Sequence, residues 1–229
     1  KSGGNIKIAV FPNSPIGSSR DLVEAMQIGA VDFALVPTTN VASFYEPLDI
    51  FYLPFLFRDK EHAYAVADGP VGQKLYADML DKIGIRTLGM YESGFRTITT
   101  RDTKVEMPDD MKGIKFRVVN NPLNVATFKA LGANPTPVNW NEVFLALQTG
   151  LVDGGHGLPV DVKPNNWHRA APNITDLEDM FAVNVWVIND DKWQSLSDEE
   201  KADLQQAVDD VDTWMADTAG AQKIARRRP

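Results

Sequence analysis

The chain has 229 residues, 44% of them hydrophobic and 24% charged, enough for a large core or for two lobes of about 100 residues each. Its net charge of −8 sets it against phosphate backbones, so nucleic acid is excluded as a partner. It has no cysteine, which excludes disulfides, thiolate metal sites and cysteine nucleophiles, and no apolar run approaches the roughly 18 residues of a membrane span.

Ile6–Phe11 alternates apolar Ile6, Ile8 and Val10 with Lys7 and Ala9, the pattern of a strand. Pro12 to Gly17 is a turn cluster. Leu22, Val23 and Met26 fall at helical spacing within 18–29, and Val31–Val36 reads as a short strand buried on both faces. The proline-rich apolar stretch Pro47–Phe57 follows. The next elements are a helix over 59–67 capped by Asp59, a second helix over 71–83 and a strand over 85–91. The order β-α-β-α-α-β is that of a wound α/β lobe.

A second lobe begins near Gly94. Its strands are expected at 95–100 and 114–119, with a turn or short helix at 107–113 between them. A helix with proline at its first position spans 122–131 and another spans 140–149. Val152 is strand-like and precedes the glycine cluster Gly154, Gly155 and Gly157. Residues 184–188 form an apolar strand. Ser197 and Glu200 form a capping box that opens a long helix with the stripe Leu204, Val208, Val211 and Met215. No apolar leader precedes Lys1, so a secretory signal would have been removed.

Catalytic patterns are absent. No GxSxG elbow, HExxH helix, P-loop or GxGxxG after a strand occurs, and the three histidines, His62, His156 and His168, have no ligand-like spacing. No cofactor and no metal are implied. Paired carboxylates such as Asp109-Asp110 read as solvated turn residues.

Two arginines sit on strands of the second lobe. In Lys115-Phe116-Arg117-Val118-Val119, Phe116 and Val118 share one face and Lys115, Arg117 and Val119 the other. Arg96 lies in Gly94-Phe95-Arg96-Thr97. An arginine fork suits a carboxylate, with two parallel charge-assisted hydrogen bonds. By pattern alone a strand arginine reads first as solvent-facing and second as a ligand contact. Trp140, at a helix start, walls a pocket or fills a core. Asn120 donates to a ligand or shapes its turn. His156, between glycines, faces a cleft.

Several segments together resemble one family. They are Phe11-Pro12-Asn13-Ser14-Pro15-Ile16-Gly17-Ser18-Ser19-Arg20, Leu53-Pro54-Phe55-Leu56-Phe57, Gly94-Phe95-Arg96 and Met111 to Val118. Gly132 to Val138 and Glu142 to Gly154 complete the set. Their order and spacing are similar to those of TRAP (tripartite ATP-independent periplasmic) transporter solute-binding proteins, the DctP family.

The resemblance implies a two-lobed, periplasmic-binding-protein-like α/β fold with hinge strands and a long bracing helix. Lobe I would be 1–93 plus 184–222, lacking its first strand. Lobe II would be 94–183, and 223–229 would be a truncated closing segment. The implied activity is capture of a small organic acid in the periplasm and delivery to membrane permease subunits, without insertion into the membrane. Arg117 is the implied carboxylate partner and Arg96 a second contact. Trp140 lies against the ligand, and Ser19, Thr38, Asn120 and Asn184 are further contacts. Gly155-His156-Gly157 departs from the family's Gln-Glu-Asn, removing an amide and offering His156 one position earlier. Two other readings share these residues: a ligand-binding subunit that feeds a sensor kinase, and a periplasmic enzyme acting on an organic acid.

Overall fold

The computed structural model describes residues 3–11 and 15–226, without the side chains of Glu92 and of 215–226. The turn cluster at 12–14, Met215 of the helix stripe and the closing residues 227–229 therefore lie outside the described residues. The chain divides into two compact units, 1–37 with 64–92 and 183–229, and 38–63 with 93–182. The sequence puts 38–63 in lobe I, whereas these residues pack in the second unit. Asn121 Nδ2 donates to Asp49 Oδ1 at 2.8 Å, Phe57 meets Phe181 edge-on at 6.1 Å, and Arg96 lies over the Tyr52 ring.

The first unit contains α1 (Ser19–Gln27), β1 (Phe33–Pro37), most of β2 (Ile85–Phe95) and most of β8 (Phe181–Asn189). Ser18 caps α1 by accepting from Asp21 N, while the Asp21 carboxylate accepts from Ser18 N. The sheet order is β1-β8-β2, with β1 antiparallel to β8 from Phe33↔Ile188 to Pro37↔Asn184. The helix α10 (Asp198–Arg226) starts at the expected capping box: Ser197 N donates to Glu200 Oε2, and Glu200 N to Ser197 Oγ. Leu204 and Val208 of α10 pack with Leu88 and Ile188. Gly89 permits this approach, because a Cβ there would lie 2.8 Å from Val208 Cγ1.

The expected strand at 6–11 does not form. Those residues join neither sheet, and Ile8, Val10 and Phe11 are exposed. Alternation supplies a face but not a pairing edge. Only Ile6 packs onto the Leu88–Val208 cluster.

The second unit is built on a five-stranded sheet, β5-β4-β6-β3-β7. Its strands are β3 (Thr97–Thr100), β4 (Lys115–Val118), β5 (Asn134–Pro137), β6 (Gly154–Gly157) and β7 (Asn173–Thr175). Strand β4 runs parallel to both β5 and β6, and β3 runs antiparallel to β6 and β7. Two cores cover the two faces of this sheet. One gathers Ile98, Met111, Phe116, Val118 and Phe128, the last from α5 (Pro122–Ala130). The other gathers Val138, Val143, Leu147, Val152, Val162 and Trp167. These come from α6 (Val143–Thr149), α7 (Pro159–Val162), α8 (Trp167–Ala170) and their connections.

Candidate functional site

Strand alternation sends Phe116 and Val118 into the α5 core and Arg117 to the opposite face. Both faces of β4 are covered, so Arg117 is 2% exposed instead of solvent-facing. Its Nε donates to Val138 O at 3.0 Å and its Nη1 to His156 O at 3.2 Å. The Trp140 ring centroid lies 5.7 Å from its Cζ, within cation–π range. Burial lowers its pKa to about 10, with Arg96 pushing the same way and Tyr52 opposing. It therefore stays protonated at neutral pH.

Arg96 lies between β2 and β3, where its N–H donates to Met180 O at 2.9 Å. It is 7% exposed, its Cζ sits 5.1 Å from the Tyr52 ring centroid, and its buried Nε has no hydrogen-bond partner. Neither arginine forms an ion pair among the described residues. Two buried cations thus lie close enough to disfavour one another, held by backbone carbonyls and aromatic faces. Without an anion such an arrangement is costly. Asp161 is an electrostatic counterweight to Arg96: burial raises its pKa while Arg96 opposes the rise.

Trp140 opens a short 3₁₀ turn (Trp140–Glu142) before α6 and is 39% exposed. Its ring packs against Trp167 with centroids 5.0 Å apart. Arg117, Arg96 and Trp140 therefore occupy the same unit, as does Thr38, which is buried at the start of α2 (Thr38–Val41). Asn120 is exposed. The engaged amide is its neighbour Asn121, which is buried, caps α5 by accepting from Asn124 N, and donates to Asp49. Ser19, at the start of α1, and Asn184, on β8, belong to the first unit.

The expectation for His156 is corrected. Register pairs Arg117 with Gly155, so Gly155 and Gly157 share the Arg117 face and His156 points to the other. There its ring meets Phe128 edge-on at 5.0 Å and is fully buried. Burial lowers its pKa against the opposing pull of Asp179, so it is neutral and Nε2–H donates to Asp179 Oδ1 at 3.0 Å. His156 is a core residue that supports Arg117 only through its carbonyl.

Tyr52, Trp167 and Asp179 were not legible as site residues. Tyr52 sits in the 3₁₀ helix Glu46–Tyr52; its hydroxyl is buried without a partner, and burial raises its pKa. A lone phenol inside the apolar run Phe51–Phe57 was the available signal for Tyr52, and the Gly155-x-Gly157 spacing the signal for a bulky neighbour.

The model of bacterial extracellular solute-binding protein family 7, DctP, matches residues 1–225. The chain belongs to this family. A solute-binding protein of Verminephrobacter eiseniae is 40% identical over 211 residues, which cover 92% of this chain and 62% of the relative. The 2,3-diketo-L-gulonate-binding periplasmic protein YiaO of Escherichia coli is 35% identical over 153 residues, 67% of this chain and 46% of that protein. The chain thus spans less than two thirds of the length of these DctP-family relatives.

Solved structures agree in fold, that of a two-lobed α/β solute-binding protein. A TRAP periplasmic solute-binding protein of Xanthobacter autotrophicus with bound β-D-galacturonate aligns with TM-score 0.91 at 34% identity, covering 98% of this chain and 74% of that one. One from Roseobacter denitrificans with bound β-D-glucuronate aligns with TM-score 0.94 at 28% identity, covering 99% and 74%. A sugar acid binding protein of Advenella mimigardefordensis in complex with galactonate aligns with TM-score 0.88 at 32% identity, covering 93% and 68%. Among the described residues no helix is long and apolar enough to cross a membrane, and no cluster could hold a metal.

Proposed function

We propose that this DctP-family chain is the periplasmic solute-binding component of a TRAP transporter, capturing a sugar acid and passing it unchanged to membrane permease subunits. The observation that carries the reading is the pair of buried guanidiniums, Arg117 and Arg96, with no carboxylate partner among the described residues. A ligand carboxylate supplies the missing charge. The Arg117 fork takes it, oriented by the carbonyls of Val138 and His156, while Arg96 Nε and the Tyr52 hydroxyl are donors for its further oxygens. Trp140 offers an aromatic face beside the guanidinium. Ser19, Thr38, Asn120 and Asn184 are secondary contacts on the family resemblance. Support for sugar acids comes from the galacturonate, glucuronate and galactonate held by similar proteins.

Binding by this arrangement needs no bond making, so no turnover is expected. A thermal-shift screen with D-galacturonate, D-glucuronate, D-galactonate and C4-dicarboxylates tests the reading. A ligand at 100 times its Kd adds about 2.7 kcal/mol, a rise of roughly 5–11 °C for a chain of this size. A flat response to every acid, with the protein folded, contradicts it.

A further inference from the structure

Strand β6 carries a glycine on each side of His156, and both glycines face Arg117. Neither has the left-handed backbone that favours glycine; what distinguishes them is the space above. A Cβ on Gly155 would lie 3.5 Å from Arg117 Cβ and 3.9 Å from Trp167 Cζ3, ordinary contacts. A Cβ on Gly157 would lie 2.4 Å from Trp167 Cζ3, closer than carbon atoms approach, and 3.0 Å from Cη2 and 3.3 Å from Cε3, both tight contacts. The outer ring of Trp167 therefore occupies the place of any side chain at 157.

That ring is 1% exposed. It supports Trp140 at 5.0 Å with a 47° tilt, and Trp140 in turn lies 5.7 Å from the Arg117 guanidinium carbon. Three side chains thus form a continuous stack from the glycine floor of β6 to the charged group.

We propose that Trp167 is a positioning residue that sets the specificity of the Arg117 site. By filling the space over Gly157 it bars a hydrogen-bonding side chain from that point of β6 and fixes Trp140 as an aromatic wall. The inference rests on reading Arg117 as the carboxylate clamp. Beside the carboxylate the protein then reads a ligand surface, not a further polar group. A cyclic uronate presents a rigid C–H face to an indole, whereas an open-chain aldonate, which also carries one carboxylate, presents none. The site prefers the ring form.

The test combines a packing cycle with a selectivity ratio. Wild type, Gly157→Asn, Trp167→Phe and the double variant are unfolded thermally without ligand. Gly157→Asn lowers Tm by at least about 4 °C in wild type, and by less than about half as much in the Trp167→Phe background, where the outer ring is gone. Equal losses in both backgrounds overturn the packing claim. Calorimetry then compares D-galacturonate with D-galactonate. Wild type binds the uronate at least about tenfold tighter, and Trp167→Phe reduces the ratio below about threefold. An unchanged ratio in Trp167→Phe overturns the specificity claim, as does a wild type that binds neither acid. Arg117→Ala separates the two readings: if it binds like wild type, the clamp fails while the packing cycle stands on its own Tm values.

Discussion

Replacing Arg117 by lysine keeps the positive charge and removes the fork. The guanidinium uses Nε and Nη1 to fix itself on Val138 O and His156 O while its remaining N–H groups are available to a carboxylate. A lysine ammonium at the end of a flexible stem cannot meet two backbone acceptors and a bidentate ligand together. At least one charge-assisted hydrogen bond is lost, worth about 1.5–3 kcal/mol, so affinity falls about 12- to 150-fold. Arg117→Ala removes the charge as well and costs roughly 2–5 kcal/mol, about 30- to 5,000-fold. Isothermal titration with D-galacturonate measures both, with Tm as a control for folding. Equal affinity in wild type and Arg117→Lys refutes the geometric argument; equal affinity in Arg117→Ala refutes the assignment altogether.

Other outcomes follow from the packing and from the buried histidine. Gly89→Ala places a methyl 2.8 Å from Val208 Cγ1 and 2.9 Å from Asp212 Oδ2; it costs about 1–3 kcal/mol and lowers Tm by roughly 2–12 °C, and an unchanged Tm contradicts the close approach of α10 to β2. Asn121→Ala removes the α5 cap and the donor to Asp49, lowering Tm by roughly 2–8 °C; a change under about 1 °C contradicts this. The folded-state pKa of His156 is lowered, so below its ordinary value near 6.5 the unfolded chain binds more protons than the native one. Stability is therefore lost as pH falls from about 6.5, at up to about 1.4 kcal/mol per pH unit. Denaturant unfolding of His156→Gln, which keeps a donor for Asp179, shows a shallower slope over that range; identical slopes contradict a neutral buried imidazole.

Local signals located most elements because the physics there is local. Asp59 caps α3 (Lys60–Ala67) through His62 N at 2.7 Å, and Pro70 begins α4 (Pro70–Ile83), as their positions suggest. The alternation of 115–119 separates Phe116 from Arg117 correctly, but whether the second face is wet depends on α6 to α8, which come later in the chain. β5 carries no strand signal in the sequence, because Pro135 and Pro137 cannot donate to a ladder. As an edge strand it tolerates them, since Asn134 and Val138 carry the N–H groups that bond β4, at Ile114 O and Val118 O. Arg96 and Arg117 stand out in the sequence only through the family motifs that hold them. The side of β6 on which His156 lies is not legible there, because it depends on the register with β4.

A crystal structure of this chain with D-galacturonate tests most directly whether Arg117 holds the ligand carboxylate. It should place both carboxylate oxygens on the Arg117 guanidinium at about 2.7–2.9 Å, with the sugar ring against Trp140. A carboxylate bound away from both Arg117 and Arg96 would contradict it.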